Sequence, residues 1–83
     1  MYYVYVIKNE TDEFYTGFSA NLEKRVIDHN AGRNESTKGH QWKLVYYEAY
    51  VSECYARERE RVLKQNRRMK TLLLNRVKES LSY

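Results

Sequence analysis

The sequence has no proline, one cysteine, three glycines and no apolar run approaching the roughly 20 residues that a membrane-spanning helix needs. A single cysteine, Cys54, excludes an internal disulfide, and nothing points to an oxidising compartment; the thiol is read as buried or half-buried. The chain goes straight into an alternating strand, without the basic start and long apolar run of a signal peptide, so a cytoplasmic protein with no membrane partner is expected. Repeats, linkers and low-complexity stretches are also missing. At 83 residues the chain is expected to be one domain over 1–83, since so short a chain buries too little surface to divide its core.

What is present is aromatic and charged. The hydrophobic share is 42%, much of it from nine tyrosines, two phenylalanines and a tryptophan, and buried tyrosines need partners for their hydroxyls. The net charge of +4 is unevenly spread. From Arg57 to Lys78 there are nine basic residues against Glu58 and Glu60, which is +7, so the remainder of the chain is −3. That segment favours a polyanionic partner.

Met1 to Lys8 alternates at a period of two and reads as a strand; Asn9 to Glu13 is turn-forming, and Phe14 to Phe18 returns to strand character. A five-residue loop centred on Thr11 pairs Tyr5 with Gly17 and Ile7 with Tyr15, which puts Tyr5 and Tyr15 diagonally on one face with an open space at Gly17 above Tyr5. Ser19 or Asn21 can cap a helix from Leu22 to Asn30, with Gly32 just past its end. Residues 31–41 form a polar loop. Trp42 to Val51 is a strand whose poor alternation suggests that both faces are covered. Ser52 can cap a helix from Glu53 to Gln65, and a last helix runs from Arg68 to Leu81. The order β-β-α-β-α-α predicts an α+β fold, a small antiparallel three-stranded sheet with helices packed on it.

Hydrolysis of a phosphodiester calls for a group that activates water, a cation for the developing charge, and commonly a carboxylate-held metal. Tyr5 and Tyr15 share a face beside a glycine. Arg25 and His29 stand four apart on one helical stripe, though spacing alone reads them as surface or hydrogen-bonded residues. Glu60 follows Ala56 by four and precedes Leu63 by three, which turns its carboxylate inward, where it needs an arginine or a metal. Glu58 reads as a solvated partner of Arg61.

These residues, taken in order, resemble the GIY-YIG superfamily of nucleases. Tyr2-Tyr3-Val4-Tyr5-Val6-Ile7 stands for the first motif and Tyr15-Thr16-Gly17 for the second; Asn21-Leu22-Glu23-Lys24-Arg25 followed by His29-Asn30 looks like the family's helix. Ser36-Thr37-Lys38-Gly39, Trp42-Lys43-Leu44-Val45-Tyr46-Tyr47-Glu48, and Ala56 with Glu60 and Leu63-Lys64 resemble the small stand-alone bacterial members, akin to the nuclease domain of the DNA-repair excinuclease. The resemblance implies that Tyr5 orients or deprotonates the attacking water, Tyr15 supports that water or a phosphate oxygen, Arg25 stabilises the pentavalent transition state, His29 is auxiliary, and Glu60 holds one divalent ion, Mg2+ or Mn2+. A phenol with its ordinary pKa near ~10 is a poor base, so Arg25 and the metal are expected to favour phenolate. Tyr3 and Thr16 depart from the motif letters. With no proline, neither Asn66 nor Asn75 matches the family's late asparagine, and appended DNA-recognition domains are absent.

The expected function is an endonuclease acting on nucleic acid, DNA before RNA, with Lys38, Arg57, Arg61, Lys64, Arg67, Arg68 and Lys70 on the phosphates. The alternatives are a binding module of the same fold with little or no chemistry, and a protein-interaction or oligomeric domain whose tyrosines are purely core.

Overall fold

In the computed structural model, which describes residues 1–82, the elements are β1 (Tyr2–Asn9), β2 (Phe14–Ser19), α1 (Leu22–Asn30), β3 (Trp42–Tyr50), α2 (Glu53–Gln65) and α3 (Arg67–Leu81). Tyr83, part of the expected 1–83 domain, lies outside the described residues. The fold is α+β, with one antiparallel sheet in the order β2-β1-β3. Tyr5 pairs with Gly17 and Ile7 with Tyr15, as the loop arithmetic predicts. The turn sets that register through Asn9, whose side-chain oxygen accepts from the Thr11 and Glu13 amides, both at 3.0 Å. Asp12 takes the one left-handed conformation of a non-glycine residue among those described (φ 65°).

As the central strand, β1 has Val4 to Ile7 wholly buried and serves both faces. Val4 and Val6 pack with Ala56 and Leu63 of α2 and Leu73 and Val77 of α3. Tyr5 and Ile7 pack on the opposite face with Trp42, Tyr15, and Leu22 and Val26 of α1. Each aliphatic side chain so buried is worth roughly 1.5–3 kcal/mol. The helices begin on local caps, since Asn21, Ser52 and Asn66 accept from the backbone amides of Lys24, Tyr55 and Met69. Asn66 also ends α2, so the two helices meet at a single residue.

One expectation holds and two are corrected. β3, an edge strand, is packed on both faces, with α1 on one and α2 and α3 on the other, and a bulge adds to its poor alternation: Val6 pairs with Tyr46 but Ile7 with Leu44, so Val45 is an extra residue. Val45 and Tyr46 consequently both join the α2–α3 side, while Leu44 joins the α1 side. Cys54 is exposed, because it lies near the start of α2 two residues before the inward Ala56, on the solvent side. Finally, the space at Gly17 is not open, for the end of the Tyr5 ring fills it.

Candidate active site

The candidate site lies on the β1–β2 side of the sheet, where His29 of α1 meets the Tyr5 and Tyr15 rings on one face and α2 packs on β2 from the other. Tyr5 supplies its centre. The ring is 1% exposed, and it crosses to β2 because Gly17 has no side chain there; a β-carbon would overlap the Tyr5 hydroxyl. The Tyr5 hydroxyl meets His29 Nε2 at 2.7 Å, and His29 Nδ1 meets Thr37 Oγ1 at 2.7 Å. The Thr37 hydroxyl points at the Asn34 carbonyl, which can only accept. With the Thr37 hydroxyl donating to Asn34 at 3.4 Å, the tautomer is assigned so that His29 donates through Nδ1 to Thr37 and its Nε2 accepts from Tyr5. Both His29 and Thr37 are fully buried.

Arg25, one turn before His29 on α1, brings its guanidinium to the Tyr5 hydroxyl, yet its Nε is buried without a partner. The Tyr15 ring stands edge-on to His29, centroids 5.1 Å apart. Glu60, 24% exposed, comes near enough from α2 for its charge to bear on Tyr5, and Lys64 one turn later pairs with it at 3.5 Å while its ammonium lies 5.1 Å from the Tyr15 ring centroid. The structure thus brings together Tyr5, Tyr15, Arg25, His29 and Glu60.

The electrostatics differ from the expectation of phenolate. Burial pushes the Tyr5 phenol up to about 12, outweighing the lowering by Arg25. Desolvation is the larger effect because the ring is enclosed on both strands. Burial, and then the charge of Arg25, lower the His29 pKa, so the imidazole is neutral at pH 7 and free to accept.

Among the described residues no three His, Cys, Asp or Glu side chains converge, so a cation here would have Glu60 as its carboxylate. One half-open hard-oxygen donor fits an ion that keeps most of its waters, as Mg2+ does.

Of the expected phosphate-binding set, Lys38, Arg67, Arg68 and Lys70 are exposed and in no ion pair among the described residues. Arg61 pairs with Glu58 as expected, and Arg57 pairs loosely with Glu53 at 3.5 Å. Arg59 is closed on Glu48 by two hydrogen bonds of 2.9 and 3.0 Å. Sequence reasoning missed Thr37, whose part depends on how the 31–41 loop folds back onto α1. No periodicity could have marked it.

The GIY-YIG catalytic domain family matches residues 1–72. A UPF0213 protein of Clostridium perfringens is 36% identical over 95% of this chain and 90% of its own length, and one of Natronomonas pharaonis is 37% identical over 83% and 84%. The solution structure of a UPF0213 protein from Bacillus halodurans superposes with a TM-score of 0.54 at 29% identity, covering 90% of this chain and 84% of that one. With the hairpin, α1, the loop and α2 all inside the matched span, this chain belongs to the GIY-YIG catalytic domain family.

Proposed function

We propose that the protein is an endonuclease that hydrolyses phosphodiester bonds in nucleic acid, DNA before RNA, with Tyr5 and His29 as its proton-handling pair. The observation that carries this reading is the 2.7 Å contact between the Tyr5 hydroxyl and His29 Nε2, with the Arg25 guanidinium beside it. A phenol pushed up to about 12 is too weakly acidic to act as free phenolate at neutral pH. It can act as a relay. Tyr5 takes a proton from water as its own passes to His29, and the Thr37 hydroxyl supports the imidazolium through Nδ1. Arg25 places its positive charge beside the Tyr5 hydroxyl, where the pentavalent phosphate gains negative charge. Tyr15 walls the water against His29. Glu60 would hold a divalent cation, which when bound neutralises charge on the phosphate oxygens.

A second reading, a binding module of the same fold with little chemistry, is favoured by that same raised phenol pKa and the depth of Tyr5. A cleavage assay over single-stranded, duplex and branched DNA and RNA, with and without Mg2+ or Mn2+, separates the two. We expect metal-dependent cleavage that is lost in Tyr5→Phe, Arg25→Ala and Glu60→Gln, with nucleic-acid binding kept. Binding without cleavage on every substrate decides for the module. Cleavage by Glu60→Gln equal to wild type at limiting metal removes Glu60 from the site.

A further inference from the structure

β2 is an edge strand, with Phe14 and Phe18 turned toward α2 and α3 and Tyr15 toward the opposite face, and each of the three rings carries a cation from one of those two helices. The Arg57 guanidinium lies 4.4 Å from the Phe18 ring centroid, Lys64 Nζ 5.1 Å from that of Tyr15, and Lys78 Nζ 5.7 Å from that of Phe14. Arg57 and Lys64 are seven residues apart on α2, about 10 Å along the axis, with Glu60 between them on the same helical stripe. We infer that the β2 edge is a phosphate track for one nucleic-acid strand, with Arg57 and Lys64 gripping the backbone on either side of Glu60 and Lys78 extending the grip beyond Phe14. This rests on the nucleic-acid substrate proposed above.

The three cations differ from their neighbours in a way that suits the task. Arg59 is committed to Glu48 and Arg61 to Glu58, whereas Arg57 and Lys64 have only 3.5 Å pairs and stay 62% and 45% exposed. Lys78 is in no ion pair among the described residues. Lying on a ring narrows the rotamers of a long side chain, so less freedom is lost when a phosphate binds. Such loose surface pairs contribute little and give way to a polyanion. The rings carry cations, so they do not serve as bare platforms for base stacking, and the strand is gripped by its backbone without regard to sequence.

The test uses the whole protein with EDTA and a fluorescein-labelled single-stranded DNA of mixed sequence, with affinity read by anisotropy across a salt series. Arg57→Gln and Lys78→Gln should each weaken binding and make the slope of log affinity against log salt shallower by about 0.7, the single-strand value for one phosphate. Arg76→Gln is the control, because Arg76 is on the same helix as Lys78 but lines the groove with Tyr46 and Arg59; its slope should equal wild type. Lys78→Arg should restore the slope, which separates the contact from any damage to folding. Equal slopes for Lys78→Gln and Arg76→Gln overturn the track, and if wild type cleaves in the assay above, the nuclease reading survives that failure.

Discussion

Gly17 is where the Tyr5 ring crosses β2, and this makes the position intolerant of a methyl group. Gly17→Ala should move Tyr5 off His29 and cost about 1–3 kcal/mol by overpacking, visible as a lower denaturant midpoint together with loss of any cleavage. The two histidines are predicted to titrate on opposite sides of the ordinary value of 6.5. His29 is lowered by burial, so as pH falls the unfolded chain takes a proton first; its contribution to stability is whole above about 6.5 and is lost as pH drops toward the folded value. His40 is raised by its hydrogen bond to Glu10, so its pairing holds at low pH and is released as pH rises through its higher midpoint. Imidazole NMR titration reads both midpoints, and a His29 midpoint above 6.5 would contradict the buried relay. Tyr5, Tyr15 and Gly17 were legible because a strand's period of two and a five-residue loop fix which residues face one another. The direction of the proton chain was not. It depends on Thr37, brought in by the 31–41 loop, and the depth that raises the Tyr5 pKa is a property of the packed core.

At the scale of elements, the helices start at the capping residues that the sequence marks, because an N-cap is a contact across three residues and needs no tertiary context. Asn66 extends this, ending α2 and capping α3. Asn66→Ala should cost about 1 kcal/mol in chemical denaturation without altering the site. The bulge at Val45 of β3 was not legible, because it is set by the pairing partner β1, which local composition does not encode. Beyond the bulge, Glu48 accepts from Arg59 of α2 and from the hydroxyls of Tyr46 and Tyr50, which locks that helix to the sheet. Burial pushes the Glu48 pKa up, but Arg59 and the two hydroxyls together hold it below its ordinary 4.5. Its contribution is therefore present above that value and is lost as pH falls further. Glu48→Gln should cost about 1–2 kcal/mol, less than a fully buried pair because both partners keep some solvent contact, and a melt at neutral pH checks it.

Across the whole molecule the charge is sorted. α3 carries Arg67, Arg68, Lys70, Arg76 and Lys78 against Glu79, which is +4, the net charge of the entire chain. The sequence correctly put the basic excess in the last two helices, but it could not divide it, because the carboxylates that neutralise α2 include Glu48 from a different element. α3 is thus expected to steer encounter with a polyanion. The double variant Arg67→Gln, Arg68→Gln should slow stopped-flow association with DNA at low salt and leave the high-salt rate unchanged. One contact in the loop has a further use. Trp42 is the only indole in the chain, and it donates through Nε1 to the carbonyl of Thr37, whose hydroxyl holds His29. Its fluorescence is consequently a built-in optical gauge of the loop that carries the relay: a substitution or ligand that moves the Thr37 backbone away from α1 also frees the indole N–H to water and moves the emission to the red, with no label attached.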